Sequence, residues 1–406
     1  MEFIKENLKV SFEYVKAFIK WVLIALTVGL LGGAAGSVFH IAIDVGAEYR
    51  MANTWIIFLL PAGGVLLAFL YAFCKRFGKL DTDCVIEAAK NERKVPLVMA
   101  PLIFISTVIT HLLGGSAGRE GAALQLGGSI GYNIGKIFRL SKKDLQIVVM
   151  TGMSAVFAAL FGTPLTAAIF ALEVAHARVK SYAGLVPCVI AAIVGSRLAL
   201  VFGLKPVRFD LVKIPALTPE LLIKTVILAI LCALVSMLFC FSIKKCEHYM
   251  NKLIPNIYLK GAIGGAVIIG LTLLSGGYDY NGAGMDVIGR ALSGQARPEA
   301  FLMKILFTAI TISAGFKGGE IVPAFFVGST FGCALGGVLG MDAGFAASVG
   351  FVALFCGVVN CPLASIILAI EVFGGNGILL FATVCAVSFM MSGKSGLYSS
   401  QEIPEK

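Results

Sequence analysis

Residues 21–47 read WVLIALTVGLLGGAAGSVFHIAIDVGA, and Asp44 is their only acidic or basic residue apart from His40. Comparable runs recur at 56–73, 185–202, 226–243 and 261–276. About 20 apolar residues are enough to cross a hydrocarbon core. Inside that core a backbone must satisfy its own hydrogen bonds, which leaves helices as the way to use such runs. A water-soluble domain could not hide so many of them: the chain is 58% hydrophobic and 14% charged, where soluble proteins carry about 25% charged residues. The expected fold class is all-α, a polytopic membrane protein.

The net charge is +10, and it is gathered between the apolar runs. Lys5, Lys9, Lys16 and Lys20 precede the first run. Lys75, Arg76 and Lys79 follow the second. Lys136, Arg139, Lys142 and Lys143, then Arg178 and Lys180, then Lys244, Lys245 and Lys252 mark later gaps. This is the pattern of short cytoplasmic loops under the positive-inside rule, not of a nucleic-acid binder. It predicts a cell-membrane protein with a cytoplasmic N-terminus. Residues 1–20, with lysines spaced through FIKENLKVSFEYVKAFIKW, predict an amphipathic helix on the membrane surface. No small-residue cleavage site follows, so this is not a signal peptide. The ten cysteines fall mostly in apolar runs without ligand spacing. They read as small buried hydrophobes; neither a disulfide framework nor a metal site nor any other cofactor is expected.

The sequence repeats itself. FGTPLTAAIFALEVA begins at Phe161 and VNCPLASIILAIEVF at Val359. Each places a Glu-Val nine residues after its proline: Pro164 and Glu173, Pro362 and Glu371. Upstream lie SAGREG from Ser116 and SAGFKGGE from Ser313. From the SAG glycine to the proline is 46 residues in one half (118 to 164) and 47 in the other (315 to 362). Two matches in one order at nearly one spacing predict a duplicated membrane domain over 21–399, with a first repeat near 21–205 and a second near 215–399. No cytoplasmic regulatory domain is expected. Inverted repeats of this kind put a substrate site at mid-membrane, where helices begin or break.

Glycines Gly114, Gly115 and Gly118 lead into Glu120, and Gly318 and Gly319 into Glu320. A helix N-terminus at membrane depth exposes unpaired N–H groups and the positive end of its dipole. It is an anion site that needs no formal cation. Glu120 at such a start can fill the site, or take a proton and leave it to an ion. Ionisable residues within a membrane are functional candidates by default. Two such starts could face one another across a single anion.

GREG at 118–121, GGEIVP at 318–323 and GKSGLYS at 393–399 resemble, in order, three ion-pathway motifs of the CLC family of anion channels and proton-coupled antiporters. THLLGGSAGREG and GFKGGE are similar to its bacterial fluoride/proton antiporter branch. That branch combines a glutamate at the Glu320 position with no inner glutamate after Glu173, where this chain has Val174. The resemblance implies a homodimer with about eighteen helices per subunit, tilted and partly re-entrant. Each subunit would exchange a small halide, fluoride first, for protons. It implies Glu120 as the gate and Glu320 in the coupling. Gly118, Arg119, Gly121, Ala122, Gly319, Ile321, Val322 and Tyr398 would line the anion path, the Tyr398 hydroxyl closing its inner side. The chain departs from the family's pattern twice. Fluoride members often carry Thr where Val322 stands. Counting back from MAPL puts Asp81 where the family has a neutral residue near the inner anion site. An aspartate there repels an anion unless its side chain turns toward Lys75, Arg76 and Lys79 or takes a proton.

Two other functions fit parts of the sequence. One is a chloride channel or chloride/proton antiporter of the same family, separated from the fluoride reading by Glu320 and Val174. The other is a membrane-embedded serine hydrolase, since GGSAG from Gly114 fits G-x-S-x-G with His111 close by.

Overall fold

The computed structural model describes residues 2–91, 93–175, 182–209 and 214–401. Arg178 and Lys180 fall outside these residues, as do the side chains of Lys5 and Lys9. Among the described residues there are sixteen α-helices and no strand. The first eight are α1 (Glu2–Ala52), α2 (Leu60–Cys74), α3 (Thr82–Lys90), α4 (Met99–Leu113), α5 (Glu120–Ile137), α6 (Lys142–Phe161), α7 (Pro164–Ala175) and α8 (Leu185–Val201). The next eight are α9 (Pro219–Leu253), α10 (Ile257–Ser275), α11 (Met285–Leu292), α12 (Ala300–Ser313), α13 (Ile321–Val338), α14 (Ala343–Val359), α15 (Pro362–Phe373) and α16 (Ile378–Met391). The repeated motifs lie at matching starts: α5 and α13 follow the glycine-led motifs, and α7 and α15 begin at Pro164 and Pro362. The count falls short of about eighteen partly because α1 is one rod. No glycine or proline interrupts residues 2–28, so the described part of the segment 1–20, expected as a separate surface helix, continues into the first apolar run without a break.

Among the described residues, six helical stretches are long and apolar enough to cross a membrane. Others are not. At about 1.5 Å per residue, the twelve residues of α7 and of α15 cover about 18 Å of a hydrocarbon core roughly 30 Å thick. Neither is long enough to cross such a core alone. Their boundaries follow from local chemistry. Ser141, Thr218, Asn256 and Asp342 cap the starts of α6, α9, α10 and α14 with side-chain oxygens. Pro362 stands at the first turn of α15, where its missing N–H costs nothing.

The two halves hold each other at their helix starts. The Glu173 carboxylate, from the end of α7, accepts the Leu363 N–H (3.2 Å) and the Ala364 N–H (2.7 Å) at the start of α15. The Glu371 carboxylate, from the end of α15, accepts the Leu165 and Thr166 N–H groups (3.0 and 2.8 Å) and the Thr166 hydroxyl (2.6 Å) at the start of α7. The repeated Glu-Val is thus a reciprocal cap. It satisfies donors that a helix beginning within the membrane leaves open. Alongside it, Phe325 of α13 stacks on Phe351 of α14 at 3.9 Å and meets Phe161 of α6 edge-on at 6.2 Å.

Within each half, the helix that starts at the glycine-rich motif packs on the next through glycine. A Cβ on Gly127 of α5 would lie 2.2 Å from the Gly152 carbonyl oxygen of α6. A Cβ on Gly328 of α13 would lie 2.2 Å from the Gly350 carbonyl oxygen of α14. Such close backbone approach is how small residues hold membrane helices together. Gly328→Ala is therefore expected to destabilise the fold by about 1–3 kcal/mol. Gly277→Ala, which meets nothing within 4 Å, should stay within about 0.5 kcal/mol. Chemical unfolding in detergent micelles compares them, and equal curves would sink the packing argument.

Candidate functional site

The two glycine-led motifs meet each other in the interior. The Gly118 N–H donates to the Gly319 carbonyl at 2.6 Å, and the Gly319 N–H returns a bond to Gly118 at 2.7 Å. From this two-residue ladder α5 and α13 depart. The approach requires glycine. A Cβ on Gly319 would sit 2.6 Å from the Gly121 amide nitrogen and 2.8 Å from that of Glu120. A Cβ on Gly118 would sit 2.3 Å from Glu120 Oε2.

Glu120 is fully buried. Its Oε2 accepts the Arg119 N–H at 2.9 Å and, across the repeat interface, the Val322 N–H at 3.3 Å. Oε1 has no hydrogen-bond partner. Val322 lies in the first turn of α13, and its N–H is one of the donors that helix leaves unpaired. A carboxylate oxygen thus takes one of the open amides of that helix start. Gly121 and Ala122 in the first turn of α5, and Ile321 in that of α13, sit beside it with the amides of a helix start. Gly118, Glu120, Gly121, Gly319, Ile321 and Val322 are all brought together here.

Arg119 is placed differently. Its guanidinium donates to Asp44 Oδ1 of α1 at 3.0 Å, and Asp44 also meets His40 Nε2 at 3.1 Å. The adjacent Arg119 and Glu120 are not an ion pair. The arginine side chain ties the motif to α1, and its backbone amide alone reaches the carboxylate.

Glu320 is the residue before α13, and its side chain makes no capping bond. It is half-buried and lies beside Gly121, where an added Cβ would come within 3.6 Å of its Oε2. Tyr398 is buried with its hydroxyl unpartnered. Asp83 holds this end of the chain in place, accepting the Ser400 N–H at 3.0 Å and the Ser399 and Ser400 hydroxyls.

Asp81 is the N-cap of α3. Its Oδ1 accepts the Cys84 N–H at 2.9 Å, and its Oδ2 lies 3.2 Å from Lys79 Nζ. Sequence reasoning did not assign Asp83, Asp44 or the Glu173–Glu371 caps to any task. Only the last left a signal, in the repeated Pro-to-Glu spacing.

The hydrolase motif does not assemble. Ser116 Oγ bonds Thr308 Oγ1 at 3.1 Å, and His111 Nδ1 bonds the Thr107 carbonyl at 3.0 Å. Serine and histidine are not paired, and Ser116 stands between two helices, not at a strand-to-helix elbow. The ten cysteines are free. Among the described residues no group of three or more His, Cys, Asp or Glu could hold a metal ion.

The family model described as voltage gated chloride channel matches residues 71–393. A chloride/fluoride channel protein of Pseudomonas syringae pv. tomato is 34% identical over 391 residues, 95% of this chain and 86% of that protein. An H+/Cl− exchange transporter of Klebsiella pneumoniae is 24% identical over 88% of this chain and 82% of that protein. Among solved structures, a CLC-type fluoride/proton antiporter superposes with a TM-score of 0.90 at 30% identity, covering 95% of this chain and 98% of the other. A slow cyanobacterial Cl−/H+ antiporter shares the fold, with a TM-score of 0.78 at 22% identity, over 92% of this chain and 94% of that one.

Proposed function

Because the chain belongs to the voltage-gated chloride channel family, we propose that it exchanges fluoride for protons across the cell membrane, as a homodimer with a cytoplasmic N-terminus. The observation that carries this reading is the Glu120 carboxylate seated on the Val322 N–H. An anion and a carboxylate compete for one helix start. When Glu120 takes a proton it loses the charge that favours that start, and the halide replaces it. When the halide leaves, the proton leaves too and the carboxylate returns. Proton and anion use one place in turn, and this is the coupling.

Fluoride is favoured over chloride by the relatives and by two residues. The Pseudomonas protein is named for chloride and fluoride, and the 30% identical structure is of a fluoride/proton antiporter. Val174, a hydrocarbon in the inner half, carries no proton. Glu320, half-buried beside Gly121, is the acid left to pass one on. A chloride/proton antiporter of the same family is the second reading; Val322 in place of threonine favours it. Purified protein in liposomes, followed with fluoride- and chloride-selective electrodes and an internal pH dye, separates the two. Chloride uptake driven by a proton gradient as fast as fluoride uptake would overturn the fluoride assignment.

The engagement of Asp81 at the α3 start supports a bystander role for it. Its carboxylate has a backbone donor and Lys79 as partners, so it need not repel the passing ion. Asp81→Asn keeps the cap and drops one charge. We expect the transport rate to change by less than about threefold, under about 0.7 kcal/mol. A tenfold gain in apparent anion affinity in the same liposome assay would put the carboxylate against the ion.

A further inference from the structure

Two buried cations lie outside this machinery. Lys304 of α12 is fully buried. Its Nζ donates to the Tyr280 and Gly282 carbonyls at 3.1 and 2.7 Å and lies 5.1 Å from the centre of the Phe326 ring. Arg50, near the end of α1, is 6% exposed. Its Nη1 donates to the His111 carbonyl at 2.8 Å, and its Nε has no partner. Neither forms an ion pair with a carboxylate among the described residues. Buried charges are ordinarily paired, because leaving them alone is costly.

Both cations converge on Gly282. Lys304 bonds its carbonyl, and a Cβ there would lie 3.2 and 3.3 Å from Arg50 Nη1 and Nη2. Gly282 also has a φ of +58°, a conformation that favours glycine. Arg50, His111, Asn281 and Gly282 are the buried polar and glycine lining of an open cleft of about 620 Å³, and are taken as its floor. The cleft also reaches Arg119, one residue from the gate. Its remaining charges are Asp44, Glu48, Asp279, Asp286 and Arg290. Asp44 is paired with Arg119 and Asp279 with Arg290. Glu48 and Asp286 are exposed, and their fields are screened by salt within about 8 Å at physiological ionic strength. The buried pair below is screened far less.

We propose that the floor of this cleft is an anion-receiving site, where Arg50, backed by Lys304, holds a small monovalent anion before it passes to the Glu120 site. The acidic rim excludes larger polyanions and leaves room for a single small charge. The onward path rests on the reading given under Proposed function; occupancy of the floor does not.

The test therefore starts with binding. In crystals soaked in sodium bromide, an anomalous peak is expected within hydrogen-bond reach of Arg50. It should vanish in Arg50→Gln, weaken in Lys304→Met and persist in Arg50→Lys, which keeps the charge. No peak in the unaltered protein, or a peak that survives in Arg50→Gln, overturns the site. In liposomes, Arg50→Gln should raise the KM for fluoride offered from the cleft side about tenfold, the scale of electrostatic focusing. The maximal rate should stay within about twofold, since each turnover still uses the Glu120 site. A lowered maximal rate at unchanged KM would mean that Arg50 only braces the His111 carbonyl, and would overturn the proposal too.

Discussion

Glu120→Gln is expected to abolish proton-driven fluoride transport, by about a hundredfold or more, the scale on which a positioned proton-transfer group contributes. Glutamine has the shape of the protonated side chain. Its oxygen can still take the Val322 N–H, so the fold should be undisturbed. What it lacks is a proton to release. The alternation of carboxylate and halide at the start of α13 then stops at one position. Any remaining fluoride flux should run down its own gradient without moving the pH dye. Proteoliposomes loaded with fluoride and given a proton gradient make the comparison. A variant that couples at the normal rate would remove Glu120 from the gate.

Glu320→Ala should lose exchange by at least about tenfold, with a stability change within about 0.5 kcal/mol. The Glu320 side chain makes no capping bond on α13, so its removal leaves no helix donor newly unsatisfied. A carboxylate acting only on the helix dipole would contribute about 0.3–1 kcal/mol of stability and nothing to coupling. The two roles separate cleanly in paired measurements of proton flux and thermal unfolding. Unaltered proton coupling with a lowered melting temperature would make Glu320 a cap.

Much of this arrangement is legible in the sequence because it is local. The apolar runs announce membrane helices. The glycines before Glu120 and Glu320 mark broken entrances to α5 and α13. Pro362 marks the start of α15, and the start of α7 at Pro164 follows from the repeat. Other parts are not legible, because the partners are far apart along the chain. Arg119 looks paired with its neighbour Glu120, yet its partner is Asp44, 75 residues earlier. Glu173 and Glu371 stand out as repeats, but nothing in either segment says that each caps the other's helix. Asp81 reads as a charge in an anion path until its Cys84 donor is seen. Asp, Thr and Asp before an apolar run is an N-cap pattern, and that signal was available.

The crossed glutamates also set a clock on assembly. The start of α7 is made about 205 residues before the carboxylate that satisfies it. At synthesis rates of about 5–20 residues per second, those amides wait about 10–40 s. Until then the first half is an unfinished object in lipid, with donors that hydrocarbon cannot answer. It must linger in a wet or proteinaceous shelter, and a truncated chain ending before α15 has no means to leave it. The same logic applies to descent. A gene for one half would yield a working product only as two copies lying head to tail, each closing the other's helix. Joining them in one chain guarantees every half its complement.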